Sequence, residues 1–391
     1  MKKVNLIIGG ISVEGFIPLS VPNLRGNEKK YINDAIDQEW VSTGGGFISD
    51  FEARTSEYVE VKHAVACQSG TAALHLSLLA CGIGAGQEVI VPTLTFIAAV
   101  NPVRYVGAEP VFMDCDNYLC MDMDKLATFC ENECTFVNGQ LINKLSGKHI
   151  AAVLVVHVFG NLADMEKLMA IKQKYNLRVI EDATESLGSY YTKGEYAGKF
   201  SGTIGDIAAY SYNGNKIITT GGGGMVVSSN KELADRARHL STQAKTDTLY
   251  FVHDEVGYNY RMTNVQAAMG LGQLEQLESF IEHKAMMYDF YQEQGINLLP
   301  FRKEVRSNYW FYSYMTPKRD ELIKYLAENN VQSRPVWYLL HELKFYENNQ
   351  SYNIQKAKHY WQHIVNIPCS TNLTKDMAKR VADLILNFSK N

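Results

Sequence analysis

IAAVLVVHVFGNLADMEKLMAIKQKYNLRVIEDATESLG, residues 150–188, reads as a strand, a helix and a second strand. The apolar runs IAAVLVVHV (150–158) and LRVIED (177–182) flank a helical stretch from Met165 to Tyr175. The same alternation extends outward on both sides. Further short apolar runs are HAVACQ at 63–68, EVIVP at 88–92, EPVFM at 109–113, IAAYSY at 207–212 and GMVVS at 224–228. Helix-like segments lie at 71–81 and 95–106. Strands alternating with helices predict an α/β fold with a mostly parallel, seven-stranded sheet covered on both faces. The last two runs follow each other closely enough to be antiparallel.

Boundaries and turns are legible around this core. Ser49-Asp-Phe-Glu52 and Thr263-Asn-Val-Gln266 each fit a capping box at a helix start. Asn138-Gly139 predicts a hairpin inserted before the strand at 150. From about Arg261 the pattern changes to long helices and an aromatic stretch, NYWFYSYM, at 308–315. This division predicts a large domain over 30–260 and a smaller α/β domain over 261–391, with residues 1–29 packed near the latter.

Composition narrows the function. The 391 residues carry 38 Lys and Arg against 42 Asp and Glu, a net charge of −4. A general nucleic-acid binder carries a basic excess, so no nucleic-acid partner is expected. No run of eighteen apolar residues predicts a membrane span. The start, MKKVNLIIGGISVEGF, has an apolar run interrupted by glycines and Glu14, which argues against an export signal. Seven cysteines without a C-x-x-C pair predict buried thiols in a reducing cytoplasm, not a disulfide framework or structural zinc. His359 and His363 have metal-like i, i+4 spacing, but no third ligand accompanies them, and no metal is expected.

In open sheets of this kind ligands bind outside the carboxyl ends of the strands. Six polar or aromatic features fall there. Gln68-Ser-Gly-Thr71 closes a strand and opens a helix, where small residues expose N–H groups suited to phosphate. It also reads as an ordinary helix cap. Asp182 ends an apolar strand, and a buried carboxylate requires a cation or donors; capping the next helix is the plainer alternative. Lys216 lies between an apolar strand and the glycines Gly221 to Gly224. A partly desolvated amine of this kind forms Schiff bases, although an exposed loop lysine reads the same way in isolation. Ser211 stands at a strand end five residues earlier, and Phe96 follows VPTLT where it suits a flat ring or the core. Asn259-Tyr-Arg261 marks the junction to the second domain.

SGTAAL, P-T-x-T-F, VHVFGNLADM, EDATESLG, SYNGNK followed by TGGGGM, and GYNYRMTNVQAA occur in that order. Over residues 17–385 the chain resembles the DegT/DnrJ/EryC1/StrS family of sugar aminotransferases, pyridoxal 5'-phosphate enzymes of fold type I. The resemblance implies that Lys216 forms the Schiff base and moves the proton, and that Asp182 pairs with the pyridinium nitrogen. Phe96 stacks on the ring, and Gly70, Thr71 and Ser211 contact the phosphate. Asn259 reaches the phosphate of a partner subunit, which implies a homodimer with shared active sites. Glu185 stands near the cofactor hydroxyl, where relatives often carry Gln or His. Family members that are 3-dehydratases replace the lysine with histidine, so Lys216 points to transamination with ping-pong kinetics.

FIPLSVPNLRGNEKKYINDAIDQEWVSTGGGFISDFE, Asn143-Lys144 before AAVLVVHVFGN, and SRPVWYLLHEL at 333–343 are similar to aminotransferases of legionaminic acid and bacillosamine synthesis. That likeness implies transfer from L-glutamate to C4 of a UDP- or GDP-linked 2-acetamido-2,6-dideoxy-4-hexulose. An unacetylated 4-keto sugar, a 3-keto sugar and a PLP-binding regulator are the alternatives. Positions 40–46, Lys245, Arg261, Arg334 and His341 are the expected sugar and diphosphate contacts.

Overall fold

The computed structural model describes residues 7–8, 11–12 and 15–390. Most of the stretch examined for an export signal therefore lies outside the described residues.

Nine strands and a late tenth form the main sheet. They are β1 (His63–Cys67), β2 (Gln87–Pro92), β3 (Glu109–Met113), β4 (Cys134–Val137), β5 (Gln140–Asn143), β6 (His149–Val156), β7 (Arg178–Asp182), β8 (Ile207–Ser211) and β9 (Gly224–Ser228). The order across the sheet is β3-β2-β6-β7-β8-β9-β1, which contains all seven expected strands. Neighbours from β3 to β8 are parallel, while β9 runs antiparallel to both β8 and β1. Two additions bring the sheet to ten strands. One is the β4–β5 hairpin, turned by Asn138 (φ 51°) and Gly139 (φ 75°), which pairs β5 with β6. The other is a two-residue strand, Ser351–Tyr352, beside β3. It is too short to leave a periodic signal.

Helices cover the sheet because its strands are apolar on both faces: β6 is buried at every position after His149. In chain order they are α1 (Glu28–Asp37), α2 (Gly46–Tyr58), α3 (Gly70–Ala80), α4 (Asn101–Tyr105), α5 (Met123–Asn132), α6 (Met165–Tyr175), α7 (Lys231–Ser241), α8 (Asn264–Leu274), α9 (Leu277–Glu293), α10 (Arg319–Glu328), α11 (Lys356–His363) and α12 (Lys375–Ser389). α3 packs against β8, β9 and α7 and is buried from Ala72 to Leu78. The expected helix at 95–106 is instead a 3-10 turn at Ile97–Ala99 followed by the short α4, which carries Pro102 in its first turn.

The capping box at Thr263 is present, with Gln266 returning a bond to the Thr263 N–H. The one at Ser49 is not. α2 begins at Gly46, which places Ser49 inside the helix. Glu52 turns to the core instead. Its Oε1 accepts the Ala66 N–H at 2.8 Å and Arg261 Nη1 at 2.8 Å, and Arg238 Nη1 lies 3.0 Å from Oε2. Glu52 thus ties α2 to β1, α7 and the segment before α8. Removing one side of such a buried network leaves uncompensated charge and costs about 3–5 kcal/mol. Glu52→Ala is expected to lower the unfolding free energy measured by chemical denaturation by that much, and Glu52→Gln by less, because the amide oxygen still accepts the Ala66 bond.

A second, antiparallel sheet consists of β10 (Tyr312–Met315), β11 (Arg334–Pro335) and β12 (Ile364–Ile367), with Arg334 opposite Asn366. Residues 17–19 run beside it: Ile17 bridges Val331, and the Leu19 carbonyl accepts the Cys369 N–H at 2.8 Å. α8 packs on α1 and α2, beside the main sheet.

Candidate active site

A cavity of about 580 Å³ opens at the carboxyl ends of β1, β7 and β8. Gly70, Thr71, Phe96, Asp182, Glu185, Ser211, Lys216 and Arg334 all line it.

The floor follows from the chain's turns. Ser69 caps α3, its side chain accepting the Ala72 N–H at 3.0 Å. Gly70 and Thr71 therefore head the helix with N–H groups that have no intrahelical acceptor, on the positive end of its dipole. The approach of β8 and β9 to this helix end depends on glycine. A Cβ on Gly70 would lie 2.8 Å from Ser211 Cβ, and one on Gly224 would lie 2.4 Å from the Ser69 carbonyl oxygen. Gly224, the last of the glycine run, thus allows close packing of the strand after the Lys216 loop onto α3. That loop is held at its base by Tyr212 N–H to Gly223 O (2.9 Å) and Thr220 N–H to Tyr212 O (3.0 Å).

Asp182 is 2 % exposed and accepts the Thr184 N–H at 3.0 Å. Burial pushes its pKa up. The Lys216 side chain is 11 % exposed, and desolvation pushes its pKa down, against the pull of Glu185 and Asp182. Its Nζ lies 3.9 Å from Glu185 Oε1 and 4.0 Å from the centroid of the Trp310 ring. Glu185 Oε2 accepts the Phe159 N–H at 2.9 Å. Phe159 adopts φ +58°, a left-handed conformation unusual for a non-glycine residue, and this conformation aims its N–H at the carboxylate. Burial pushes the Glu185 pKa up.

A fully buried pair supports the end of β7. Ala163 N–H donates to His157 Nδ1 at 3.2 Å, so the Nε2 proton points to Glu181 Oε2, 2.8 Å away. Glu181 also accepts the N–H groups of Gly202, Ile204 and Gly205. These bonds fix the strand on which Asp182 is the next residue. Phe96 is half exposed at the rim, 6.4 Å from Trp337 between ring centroids.

Four expected contacts are not among the described residues lining the cavity. Arg261 is paired with Glu52. His341 Nδ1 lies 2.7 Å from Thr93 Oγ1, behind the wall. Lys245 sits on a short exposed hairpin with its Nζ over Phe251. Asn259 is exposed and bridges Thr242 through its backbone. The segment 40–46 packs on α8 through the Trp40 carbonyl, which accepts from Asn264 Nδ2. Trp310, Gln332 and Asn366 line the cavity without having been singled out from the sequence. Trp310 lay within the aromatic stretch at 308–315, where nothing in the spacing separates it from its core neighbours.

The model of the DegT/DnrJ/EryC1/StrS aminotransferase family matches residues 22–386. The chain belongs to this family. It is 38 % identical over 379 residues to GDP-perosamine synthase of Escherichia coli O157:H7, covering 95 % of this chain and 98 % of that protein. It is 29 % identical to UDP-4-amino-4,6-dideoxy-N-acetyl-beta-L-altrosamine transaminase of Campylobacter jejuni, with coverages of 95 % and 97 %. Among solved structures, an aminotransferase of the family from Brucella abortus superposes with a TM-score of 0.84 at 26 % identity, covering 93 % of this chain and 96 % of that one.

Membership makes the chain an aminotransferase with pyridoxal phosphate as cofactor, and the residues present fit that group. The α3 N-terminus offers N–H donors in a glycine-cleared cradle. Asp182 is a buried carboxyl with room for a cation on its cavity side. Thr95 Oγ1 is buried in the wall without a hydrogen-bond partner. No described helix is long and apolar enough to cross a membrane.

Proposed function

We propose that the protein transfers the amino group of L-glutamate to C4 of a nucleotide-linked 6-deoxy-4-hexulose, with a GDP-linked sugar as the first candidate. The convergence of Lys216, Asp182 and the α3 N-terminus on one cavity carries this reading. The greater identity to a GDP-perosamine synthase than to a UDP-linked N-acetyl sugar transaminase supports the GDP nucleotide. The 2-acetamido sugar remains the second reading, supported by the segments at 16–52 and 333–343 and by the latter relative.

Bound pyridoxal phosphate supplies an electron sink for the electrons released when a proton leaves the substrate carbon. In this reading Lys216 would hold the cofactor through Nζ and, as the free amine, would move the proton between carbon atoms. Asp182 stays ionised and holds the proton on the ring nitrogen. The N–H groups of Gly70 and Thr71, with the Ser211 hydroxyl, hold the phosphate. Phe96 would stack on the cofactor, and Glu185 would help to hold it from the cavity wall. Arg334, exposed at the mouth, meets the anionic substrates.

Asn259 completes the phosphate site of a second copy in a homodimer. Leu249, Tyr250, Phe251 and Val256 nearby are 66–83 % exposed, the kind of apolar surface that a partner covers.

The test offers GDP- and UDP-linked 4-keto-6-deoxyhexoses, with and without a 2-acetamido group, together with L-glutamate. Release of 2-oxoglutarate with the unacetylated GDP sugar is expected. Turnover with the acetamido sugar alone would favour the second reading. Failure with every 4-keto sugar would refute both.

A further inference from the structure

Trp310 is 3 % exposed and is fixed from several sides. Its indole Nε1–H donates to the Asn215 carbonyl at 2.7 Å, the residue before Lys216. Its backbone N–H donates to Asn308 Oδ1 at 3.0 Å, and Asn308 Nδ2 in turn donates to the carbonyls of Glu185 and Leu187. The Cys369 thiol donates to its carbonyl. One residue thus spans the Lys216 loop through its indole and, through its backbone N–H and Asn308, the Asp182–Glu185 loop. Its ring presents a face to Nζ of Lys216 at 4.0 Å. An indole face carries negative potential and attracts a desolvated ammonium.

We propose that Trp310 is the positioning residue of Lys216: the indole face seats the ammonium whenever the amine is not bonded to the cofactor, and the indole N–H fixes the loop that carries it. The proposal rests on the assignment of Lys216 as the cofactor-bonding amine. The half-reaction with the amino donor releases that amine, and the half-reaction with the keto sugar needs it back at its end. Without a seat, a freed lysine on a four-carbon stem would swing toward Glu185, whose Oε1 lies 3.9 Å away, or into the cavity. The other charged groups facing it are Asp182 on its own side of the cavity, Arg334 from the second sheet, and Lys284 of α9, which shares a small void with Lys216 and Trp310. The ring stabilises the ammonium and so raises the pKa of the amine. Losing the ring lowers that pKa and makes the neutral, attacking amine available at lower pH.

The experiment measures the rate of Schiff-base formation between cofactor-free protein and added pyridoxal phosphate across pH, followed by absorbance. Trp310→Leu is expected to shift the midpoint of the pH–rate curve down by about one unit. Should Trp310→Leu not fold, tetrafluorotryptophan placed at 310 keeps the shape and the N–H while draining the ring face, and is expected to shift the midpoint the same way. Trp310→Phe, with a weaker face, falls between. An unchanged midpoint in folded Trp310→Leu or in the fluorinated protein overturns the proposal. Lys216→Ala run in parallel tests the underlying assignment separately, because capture there fails at every pH.

Discussion

Lys216→Ala is expected to bind pyridoxal phosphate without the absorbance of a lysine Schiff base, and to lose transamination by at least about 10⁴-fold. Two losses combine. The bond that holds and activates the cofactor disappears, and so does the group that carries the proton between carbon atoms. No neighbour replaces it. Arg334, the other cation among the described residues lining the cavity, offers only N–H donors and is exposed at the mouth. Glu185 stands within 3.9 Å of the amine, but its carboxyl is fixed by the Phe159 N–H. Both half-reactions should fail alike, which single-turnover absorbance measured with amino donor alone and with keto sugar alone will show. Retained capture and turnover in this variant would transfer the role to another lysine.

Asp182→Asn is expected to keep the cofactor and most of its affinity but to slow both half-reactions by about 10²–10³-fold. The amide preserves the shape and the bond from Thr184 N–H, while the charge that keeps the ring nitrogen protonated is lost. The change should fall on kcat, with little effect on KM. The same substitution has a thermodynamic signature in the cofactor-free protein. Burial raises the Asp182 pKa above its unfolded value, so the stability linked to its protonated form is present at low pH and fades as pH rises through the folded pKa. Asp182→Asn does not suffer that loss. The cofactor-free variant is therefore expected to melt above the wild type at neutral pH, with the gap closing in acid. A variant that melts lower at neutral pH would mean that the carboxylate is already compensated by the protein itself.

Much of this architecture was legible in the chain. Seven apolar runs became the seven contiguous strands because a sheet covered on both faces writes itself as unbroken apolar sequence. Gly70, Thr71, Phe96, Asp182, Glu185, Ser211 and Lys216 meet in one cavity because each sits at or just beyond a strand end, where open α/β sheets place their ligands. The misses have equally local reasons. Ser49-x-x-Glu52 satisfies the capping pattern, yet Glu52 does more for the fold by pairing Arg238 and Arg261 than it would at a helix end. Arg261 is drawn into that network. The helix expected at 95–106 breaks because Pro102 resets the turn. Trp310 was hidden for a different reason: its partners, Asn215 and Lys216, lie about 95 residues away, and local spacing carries no record of such a contact.

Reduction of the cofactor-loaded enzyme with borohydride, followed by proteolysis and mass mapping of the phosphopyridoxyl group, tests the central assignment most directly. The label is expected on Lys216 alone. Lys284 is the informative alternative, being a buried lysine whose pKa burial lowers. A label there, or on any exposed lysine with Lys216 unmodified, would contradict the account.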